Sequence, residues 1–563
     1  MSADSGAEAC VDYIVVGAGS AGAAAAARLA EGGQHSVMLL EAGEDDRWIW
    51  IRVPAGVFYI VRGDRSVWRF STEPEPHMNG RRVFWPRGRV WGGSSSINGM
   101  IWARGDMGEY DLWRDEFGLP EWGAEQVKPV FRSIENYVSG GDAQRGRQGP
   151  VTVTEFSPKH PLMESFLDAC ESAGIERNPD YNGARYEGAG YLQFNTRRGL
   201  RQSTREAYLR DALRKGSLEI RSRALVRRVV FEGRRAVGVE YERDGVRQVV
   251  RCRREVILSA GALQSPQLLE LSGIGDASRL QRLGIPVLHH LPAVGENLHD
   301  HLHARVNFEV RQVRTLNNIM RNPLSKAAMA MRLLLLGNGL MSCSGQIIHA
   351  LARSRPEEPL PDMKLQLHWL SSPDARDPRR ILLDDCPGIS IGTFPLRPRS
   401  RGAVHIQSAD PRQAPAMNAN YLAHEDDRRV TLAALRMARR LAEQPALAPW
   451  IVREIKPGPD AASDEELLDY VRGIGQTSYH PVGSCRMGSD AASVVDSHLC
   501  VRGVDGLRVA DASIIPSMCS SNTNAPAIMI GERVAAFIRH GQGAMAAPTS
   551  APAAGGVREV AHV

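Results

Sequence analysis

The stretch VDYIVVGAGSAGAAAAARLAEGGQHSVMLLEA, residues 11–42, decides the fold. Its apolar run at 13–16 predicts a buried strand, since β-branched and aromatic residues follow one another there. Three spaced glycines and an alanine-rich segment come next, and they predict a turn and a helix to about Ala30. A second apolar strand, Val37–Leu40, ends on an acidic residue. This order of elements predicts an α/β unit with parallel strands.

The three glycines have the G-x-G-x-x-G spacing of dinucleotide-binding turns. Gly17 permits the tight turn, Gly19 lets a pyrophosphate approach the backbone, and Gly22 lets the helix pack closely on the strand. The helix N-terminus then faces the phosphates with its unpaired N–H groups. Glu41, about 20 residues on, is placed to accept hydrogen bonds from ribose hydroxyls. The sequence therefore predicts a Rossmann-type nucleotide site.

An α/β-hydrolase is the alternative interpretation of the same residues. A nucleophilic Ser20 in a strand–turn–helix would need the pattern G-x-S-x-G, with a glycine two residues earlier. Ala18 occupies that position, so the dinucleotide interpretation is favoured.

Composition sets the broad class of the protein. The chain of 563 residues is too long for one hydrophobic core, so at least two domains are expected. The apolar fraction of 43% and the charged fraction of 24% are typical of a globular protein. The net charge of +5 is small, and the arginines are spread along the chain, which argues against a nucleic-acid partner.

The chain shows no sign of export or of a membrane span. Asp12 interrupts the first apolar run, so no signal peptide is expected. No segment reaches the roughly 18 uncharged apolar residues of a spanning helix. The eight cysteines form no C-x-x-C pair, which favours free thiols and a cytoplasmic location.

Residues 88–105, GRVWGGSSSINGMIWARG, combine many glycines and serines with large apolar residues. Glycine and serine favour a close-fitting loop over a helix or strand interior. A surface linker would be more polar than this segment, which carries two tryptophans. The segment therefore predicts a wall around a flat, buried cofactor ring.

This loop resembles the first signature of the glucose–methanol–choline (GMC) oxidoreductases, flavoproteins that oxidise alcohols. Residues 261–275 (GALQSPQLLELSGIG) are similar to the second signature, and 480–488 (HPVGSCRMG) to the segment with the catalytic histidine. Residues 507–535 resemble the closing FAD segment. The resemblance runs from residue 11 to about residue 538. The chain is identified as a member of this family, and it resembles the subgroup of choline-dehydrogenase-like alcohol dehydrogenases.

The resemblance implies an α/β protein, α+β overall, with a Rossmann-type FAD-binding domain. An antiparallel sheet with helices, inserted into that domain, would form the substrate domain. The implied FAD-binding parts are 1–155, 201–310 and 471–541, and the substrate-binding parts are 156–200 and 311–470. The tail 542–563 is rich in alanine, proline and glycine, which predicts disorder.

The resemblance also implies FAD as the cofactor, held without a covalent bond. Some relatives tether FAD through a histidine of the first signature, where this chain has Ile97. Val226 would contact the adenine end through its backbone, and Asp511 and Ala512 the pyrophosphate or ribityl chain. The implied FAD-binding residues, including those of the glycine motif, are Gly17, Gly19, Ser20, Ala21, Gly22, Glu41, Ala42, Val90, Gly93, Ser94, Asn98, Gly99, Met100, Ile101, Val226, Asp511, Ala512, Asn524 and Pro526.

Alcohol oxidation requires a hydride to leave carbon for the flavin while a proton leaves oxygen. A neutral imidazole is suited to take that proton, and His480 matches the family's catalytic position. Asn524 is expected beside it as an uncharged donor to the substrate oxygen, where negative charge develops. Asn522 is the alternative if the register is shifted by two residues.

A second histidine group, within HHLPAVGENLHDHLH at 289–303, invites comparison with a metal site. Its spacing fits no zinc pattern, and the segment is similar to a structural loop of the family. The structural interpretation is favoured, and no metal is expected.

Several functional alternatives stay open. A flavin-containing hydroxynitrile lyase, a non-catalytic FAD-binding protein, and an oxidase that uses O₂ all fit the same motifs. A dehydrogenase with a quinone-like or protein acceptor is favoured by resemblance. The substrate is a small alcohol, but no anionic cage for the ammonium group of choline is identifiable. Residues 327–336 predict a helix, interpreted as a core helix in preference to a peripheral membrane contact.

Overall fold

The computed structural model describes residues 10–141, 143–216, 218–373 and 382–541, and the predicted disordered tail lies outside them. The strands in this part of the chain are β1 Cys10–Val16, β2 Val37–Leu40, β3 Val67–Ser71, β4 Phe84–Gly88, β5 Glu135–Tyr137, β6 Val151–Glu155, β7 Gly188–Tyr191, β8 Gln193–Phe194, β9 Thr196–Arg197, β10 Leu200–Arg201, β11 Leu218–Arg221, β12 Ala224–Glu232, β13 Arg235–Arg243, β14 Val246–Leu258, β15 Ile274–Gly275, β16 His289–His290, β17 Leu302–Val310, β18 Gln346–Ala352, β19 Met363–His368, β20 Gly388–Pro395, β21 Ala403–His405, β22 Ala416–Asn418, β23 Ile451–Lys456, β24 Gln476–Thr477 and β25 Leu507–Val509. The helices are α1 Ser20–Leu29, α2 Ile49–Arg52, α3 Val57–Ile60, α4 Met107–Glu116, α5 Ala124–Ile134, α6 Pro161–Ser172, α7 Arg210–Lys215, α8 Ser265–Leu271, α9 Ala277–Arg282, α10 Leu316–Ile319, α11 Pro323–Leu336, α12 Glu425–Ala442, α13 Asp464–Ile474 and α14 Asn524–Arg539.

The first large sheet has the strand order β11-β2-β1-β14-β13-β12, and β25 pairs with β14. Strands β11, β2, β1, β14 and β25 run parallel, while β12 and β13 form an antiparallel extension. Strands β1 and β2 are almost entirely buried, which their apolar sequences require. This sheet with α1 and α14 is the predicted Rossmann-type unit.

Helix α1 packs unusually close to its surroundings because its inner face carries only small residues. A Cβ at Gly22 would lie 2.0 Å from the carbonyl oxygen of Gly17. A Cβ at Gly531, on α14, would lie 2.2 Å from the carbonyl oxygen of Ala21. Glycine at these positions therefore lets two helices and the first turn meet at one point.

The second large sheet has the order β23-β17-β20-β19-β18-β7 and is antiparallel. Strand β17 lies inside it, although the sequence had assigned residues 201–310 to the FAD-binding part. That assignment is wrong for β17, because this strand pairs with β20 and β23 of the second sheet. The α/β architecture itself is confirmed. The other domain boundaries stay a prediction.

The two faces of this second sheet differ in polarity. Val306, Leu365 and Ile391 lie on one face and pack in the same hydrophobic cluster as Leu435 of α12. The opposite face is polar and mostly buried. Its polar residues are the half-buried Arg305 and the buried His303, Asn307, His349, Lys364, Gln366, His368 and Ser390. A polar face that is closed off from bulk solvent indicates a functional chamber rather than a core.

The core-helix interpretation of residues 327–336 is wrong. Of helix α11, Leu333 is buried, whereas Leu324, Leu334 and Leu335 are 81%, 78% and 73% exposed. The helix lies on the surface, where its leucines contact solvent. Within the described residues, no helix combines the length and hydropathy needed to cross a bilayer.

Candidate active site

One elongated cavity joins the two sheets, from the glycine turn after β1 to the polar face of the second sheet. Nearly all residues predicted to bind FAD line it. The exceptions are Gly22, which packs α1 on the turn, Val90, which lies in a small core cluster, and Pro526, which is buried in the first turn of α14. Sequence reasoning missed Leu225, Ser259 and Ala260, which also line the cavity.

Close backbone contacts shape the nucleotide end of the cavity. A Cβ at Gly17 would lie 2.5 Å from the carbonyl oxygen of Ser259, and a Cβ at Gly93 would lie 2.6 Å from the Cα of Gly19. A Cβ at Gly19 meets nothing within 4 Å. The first signature therefore packs directly on the glycine turn, and open space remains over Gly19 for a ligand.

The side chain of Glu41 stabilises the glycine turn through hydrogen bonds. Its carboxylate accepts hydrogen bonds from the backbone N–H groups of Ala18, at 2.9 Å, and Gly43, at 2.8 Å. Burial raises the pKa of Glu41 to about 7. The residue therefore organises the turn itself, in addition to lying in the cavity wall where a ribose is expected.

Two helix N-termini converge on the cavity and suit the diphosphate of FAD. Neither α1 nor α14 has a side-chain N-cap, so their first N–H groups are free to bind an anion. Ser20 donates to Asn524 Oδ1 at 2.8 Å and joins the two ends. The Nδ2 of Asn524 is buried and has no partner among the described residues. An unsatisfied donor between two positive helix ends fits an FAD phosphate.

Asp511 holds the loop at the neighbouring wall. Its carboxylate accepts from the backbone N–H of Gly261 at 2.8 Å, from the Ser265 hydroxyl at 2.5 Å and from the backbone N–H of Ser513 at 2.8 Å. It therefore joins the second signature to the closing segment, and both line the cavity.

Asn522, and not Asn524, stands beside His480. Asn522 Nδ2 lies 3.0 Å from His480 Nε2, and both residues line the cavity. The predicted placement of Asn524 is wrong, because Asn524 begins α14 and faces Ser20. The alternative register is the one that the structure adopts, since Asn522 lies in the loop before the helix.

A chain of hydrogen bonds runs from the Leu396 carbonyl through His301 and His480 to Asn522, and it determines which ring nitrogens carry protons. The carbonyl oxygen of Leu396 only accepts, so His301 Nε2, at 2.9 Å, carries a proton. Burial lowers the pKa of His301 to about 3, so the ring is neutral and its Nδ1 accepts. His480 Nδ1, 3.0 Å away, is then the donor. In neutral His480 the free lone pair is therefore on Nε2, facing Asn522.

The surroundings keep His480 neutral and its loop rigid. Burial is the main cause that lowers the pKa of His480, and nearby His301 and Lys364 lower it further. The backbone N–H of His480 donates to Asp300 Oδ1 at 2.8 Å. Tyr479 has a φ of +66°, a left-handed conformation that such a residue rarely adopts. These constraints fix the direction of the imidazole.

Lys364 supports Asn522 from behind, and sequence reasoning missed it. Its Nζ donates to Asn522 Oδ1 at 3.0 Å, so the amide presents its NH₂ group to His480. Burial lowers the pKa of Lys364 to about 7. The sequence pattern that could have identified this residue is the alternation K-L-Q-L-H at 364–368. Such alternation normally predicts a strand with one solvent-exposed face. Here that face closes the cavity.

The histidines of the 289–303 segment do not come together. His299 contacts the carbonyl oxygen of Asn297, His301 contacts His480, and His303 stacks on His368 at 5.5 Å between ring centroids. In the part of the chain that the structure describes, no three His, Cys, Asp or Glu side chains form a group that could hold a metal ion.

Comparison with known proteins matches two family models to the chain. A GMC oxidoreductase N-terminal model matches residues 11–303, and a GMC oxidoreductase C-terminal model matches residues 398–531.

Among curated proteins, mitochondrial choline dehydrogenase of Mus musculus is 41% identical over 536 residues, which cover 94% of this chain and 89% of that protein. Oxygen-dependent choline dehydrogenase of Photobacterium profundum is 40% identical over 528 residues, covering 93% of this chain and 92% of that protein.

Among solved structures, pyridoxine 4-oxidase from Mesorbium loti has a TM-score of 0.85 at 29% identity and covers 94% of this chain and 99% of that one. A formate oxidase of Aspergillus oryzae RIB40 has a TM-score of 0.88 at 24% identity, covering 95% and 99%. At that identity it supports the fold alone.

Replacing Glu41 with alanine should weaken FAD binding, because the N–H groups of Ala18 and Gly43 lose their acceptor and the turn loosens. We expect affinity to fall roughly 10- to 100-fold, the worth of one or two hydrogen bonds to a charged group. Flavin fluorescence titration of the apoprotein measures this. Glu44→Ala, which removes an exposed carboxylate three residues on, is the control. Unchanged affinity in Glu41→Ala would show that the turn does not depend on this carboxylate.

Proposed function

Because this chain belongs to the GMC oxidoreductase family, we propose that it oxidises an alcohol to an aldehyde or ketone with His480 as the base. It is an FAD-dependent oxidoreductase similar to the choline dehydrogenases, and it belongs to the same family of alcohol-oxidising enzymes. The observation that carries the proposal is the unprotonated His480 Nε2, which faces the Asn522 amide in the same cavity as the FAD-binding residues.

The two polar groups suit a hydroxyl, which both donates and accepts. A substrate hydroxyl between them would donate its proton to His480 Nε2 and accept from Asn522 Nδ2, replacing their direct 3.0 Å contact. As the proton moves, the Asn522 donor stabilises the negative charge on oxygen, and Lys364 strengthens that donor from behind. Bound FAD supplies the acceptor for the hydride.

The His301 contact would persist through this step. When His480 takes the proton at Nε2, its Nδ1–H still donates to His301 Nδ1. The ring therefore does not have to rotate, and the base is ready for reuse once the proton leaves. His301 acts here as a positioning residue, held by the Leu396 carbonyl.

We propose that FAD is held without a covalent bond, since Ile97 lines the cavity where a tethering histidine would be needed. Acid precipitation of the holoprotein should release all flavin to the supernatant, measured by absorbance. A pellet that stays yellow would mean that another residue forms the link.

The electron acceptor is proposed to be a quinone-like molecule or a protein, rather than O₂. The position of helix α11 supports such an acceptor. The helix is exposed, and the chain that follows it passes through a short helical turn at Leu340–Ser342 and reaches the cavity wall at Ser344. A lipid surface at α11 would bring the cavity close to membrane quinones.

We propose that α11 contacts an anionic lipid surface. Residues 323–336 contain Lys326 and Arg332 but no acidic residue, and most of their leucines are exposed, as in helices that lie at an interface. The double variant Leu334→Gln/Leu335→Gln should lose co-sedimentation with vesicles of anionic lipid. Val246→Gln, at an exposed apolar residue on β14, is the control. Binding that survives in the double variant would exclude α11 as the contact.

The reductive half-reaction tests the main proposal. With alcohol and no oxygen, stopped-flow absorbance should show flavin bleaching, which His480→Ala slows roughly 10²- to 10⁴-fold while FAD content stays normal. Asn522→Ala should slow it roughly 10²-fold, and the double variant less than the product, since both act on one proton transfer. Asn524→Ala should instead lower FAD affinity.

His77→Ala, at an exposed histidine, is the control for this series. Bleaching at the parent rate in His480→Ala would place the base elsewhere. A flavin that no alcohol bleaches would favour the lyase alternative. Mixing the reduced protein with O₂ or with a soluble quinone then separates an oxidase from a dehydrogenase.

A further inference from the structure

We propose that the protein acts on alcohols without a positive charge, and that Lys364 excludes quaternary ammonium alcohols such as choline. This inference names the substrate class of the proposed oxidation and rests on that function. Its basis is proximity: Lys364 Nζ lies 3.0 Å from Asn522 Oδ1, and Asn522 Nδ2 lies 3.0 Å from His480 Nε2. A positive charge therefore stands one side chain away from the reacting oxygen.

No negative charge compensates Lys364 within the described residues. The side chain is fully buried, and its contacts are the Asn522 amide and the Phe394 ring, whose centroid is 5.6 Å from Nζ. An unpaired buried cation is costly, and this cost lowers the pKa of Lys364 to about 7. The titratable groups that face it are four histidines, His301, His303, His349 and His480, and burial lowers the pKa of each. Below its lowered pKa of about 7, Lys364 is therefore the charged member of this group, and the guanidinium groups of Arg87 and Arg305 also line the cavity.

The cavity also lacks a free carboxylate for a cationic substrate. Among the described lining residues, the acids are Glu41 and Asp511, and backbone N–H groups on the nucleotide side occupy both. Asp300 lies behind His480, where it accepts from the hydroxyls of Thr477 and Tyr421.

The aromatic faces that could bind an ammonium are partly taken by the protein's own cations. Phe58, Trp68, Phe394 and Tyr479 line the cavity, and two of these rings are in contact with cations of the protein. The guanidinium of Arg89 lies 4.7 Å from the Trp68 ring centroid, and Lys364 faces Phe394. Quaternary ammonium groups are recognised by such aromatic faces. A choline molecule would have to compete with these internal contacts.

The expected size of the discrimination follows from Coulomb's law. At an effective dielectric of about 20, like charges separated by one side chain repel strongly enough to weaken binding roughly 30- to 100-fold. A neutral or anionic alcohol escapes this repulsion. The Nε2 atoms of His303 and His368, which have no partner among the described residues, offer it further hydrogen bonds.

The test compares choline with its carbon isostere, in which a tert-butyl group replaces the trimethylammonium, so the two alcohols differ in charge but hardly in shape. Anaerobic flavin reduction by the holoenzyme should give a kcat/KM roughly 30- to 100-fold higher for the isostere. Lys364→Met should slow both alcohols but lower the ratio, with Arg87 and Arg305 in the cavity wall left to disfavour choline, and Lys364→Glu should lower it further. Lys326→Met, on the exposed α11, should keep the wild-type ratio.

The wild-type protein provides a second test that needs no variant to fold. Burial lowers the pKa of Lys364 to about 7, so its charge is present below that pH and is lost above it. The preference for the isostere should therefore be largest well below that pH and shrink well above it. A preference for choline, or a ratio that neither pH nor Lys364→Met changes, would overturn the inference.

Failure of the proposed oxidation gives a different result. If neither of these alcohols nor a wider set of neutral alcohols bleaches the flavin, alcohol oxidation is wrong, and charge selection is then measured from the change in flavin absorbance on equilibrium binding. Tighter binding of the isostere still supports the inference, and equal or tighter binding of choline overturns it.

Discussion

The hydrogen bond between the Nδ1 atoms of His301 and His480 determines the chemistry available to the site. Two imidazoles can share it only if one of them donates, and the Leu396 carbonyl requires His301 to be the acceptor there. The lone pair of His480 is thereby directed to Asn522 and the cavity. If the tautomers were exchanged, a proton would occupy the position where, in the proposed oxidation, a substrate hydroxyl releases its own.

Burial is the main cause of the pKa shifts in this site. Burial lowers the pKa of His480 and so keeps its imidazole neutral, and it leaves the charge of Lys364 less screened than it would be in water. The same burial raises the pKa of Glu41 and of Asp300, whose carboxylates hold the turns that carry the cofactor residues and the proposed base. Neither sheet encloses the cavity alone, because the glycine turn follows a strand of the first sheet and the polar face belongs to the second sheet.

The sequence predicted the parts of the fold that depend on local patterns. The glycine turn, α1 and β2 follow from steric limits that act within residues 11–42, and the structure confirms them. The Asn522 and Asn524 positions were confused because an N-x-N pattern does not specify which side chain leaves a helix start for the neighbouring wall. Strand β17 and helix α11 were wrongly assigned because apolar periodicity does not identify the surface that an element contacts.

The sequence by itself determined the nucleotide-binding unit, because close backbone contacts there require glycine at particular positions. It also determined the choice of His480 as the proposed base, because residues 480–488 resemble a known family segment. Only the tertiary structure decided which face of the second sheet is enclosed. The alternating polar residues of β17 and β19 would face water on an isolated sheet. In the folded protein this face adjoins the cavity that the glycine turn also lines, so most of these side chains are buried and Lys364 lies beside Asn522. The physical reason is that desolvation depends on what covers a side chain, and that information is spread over residues far apart in the chain.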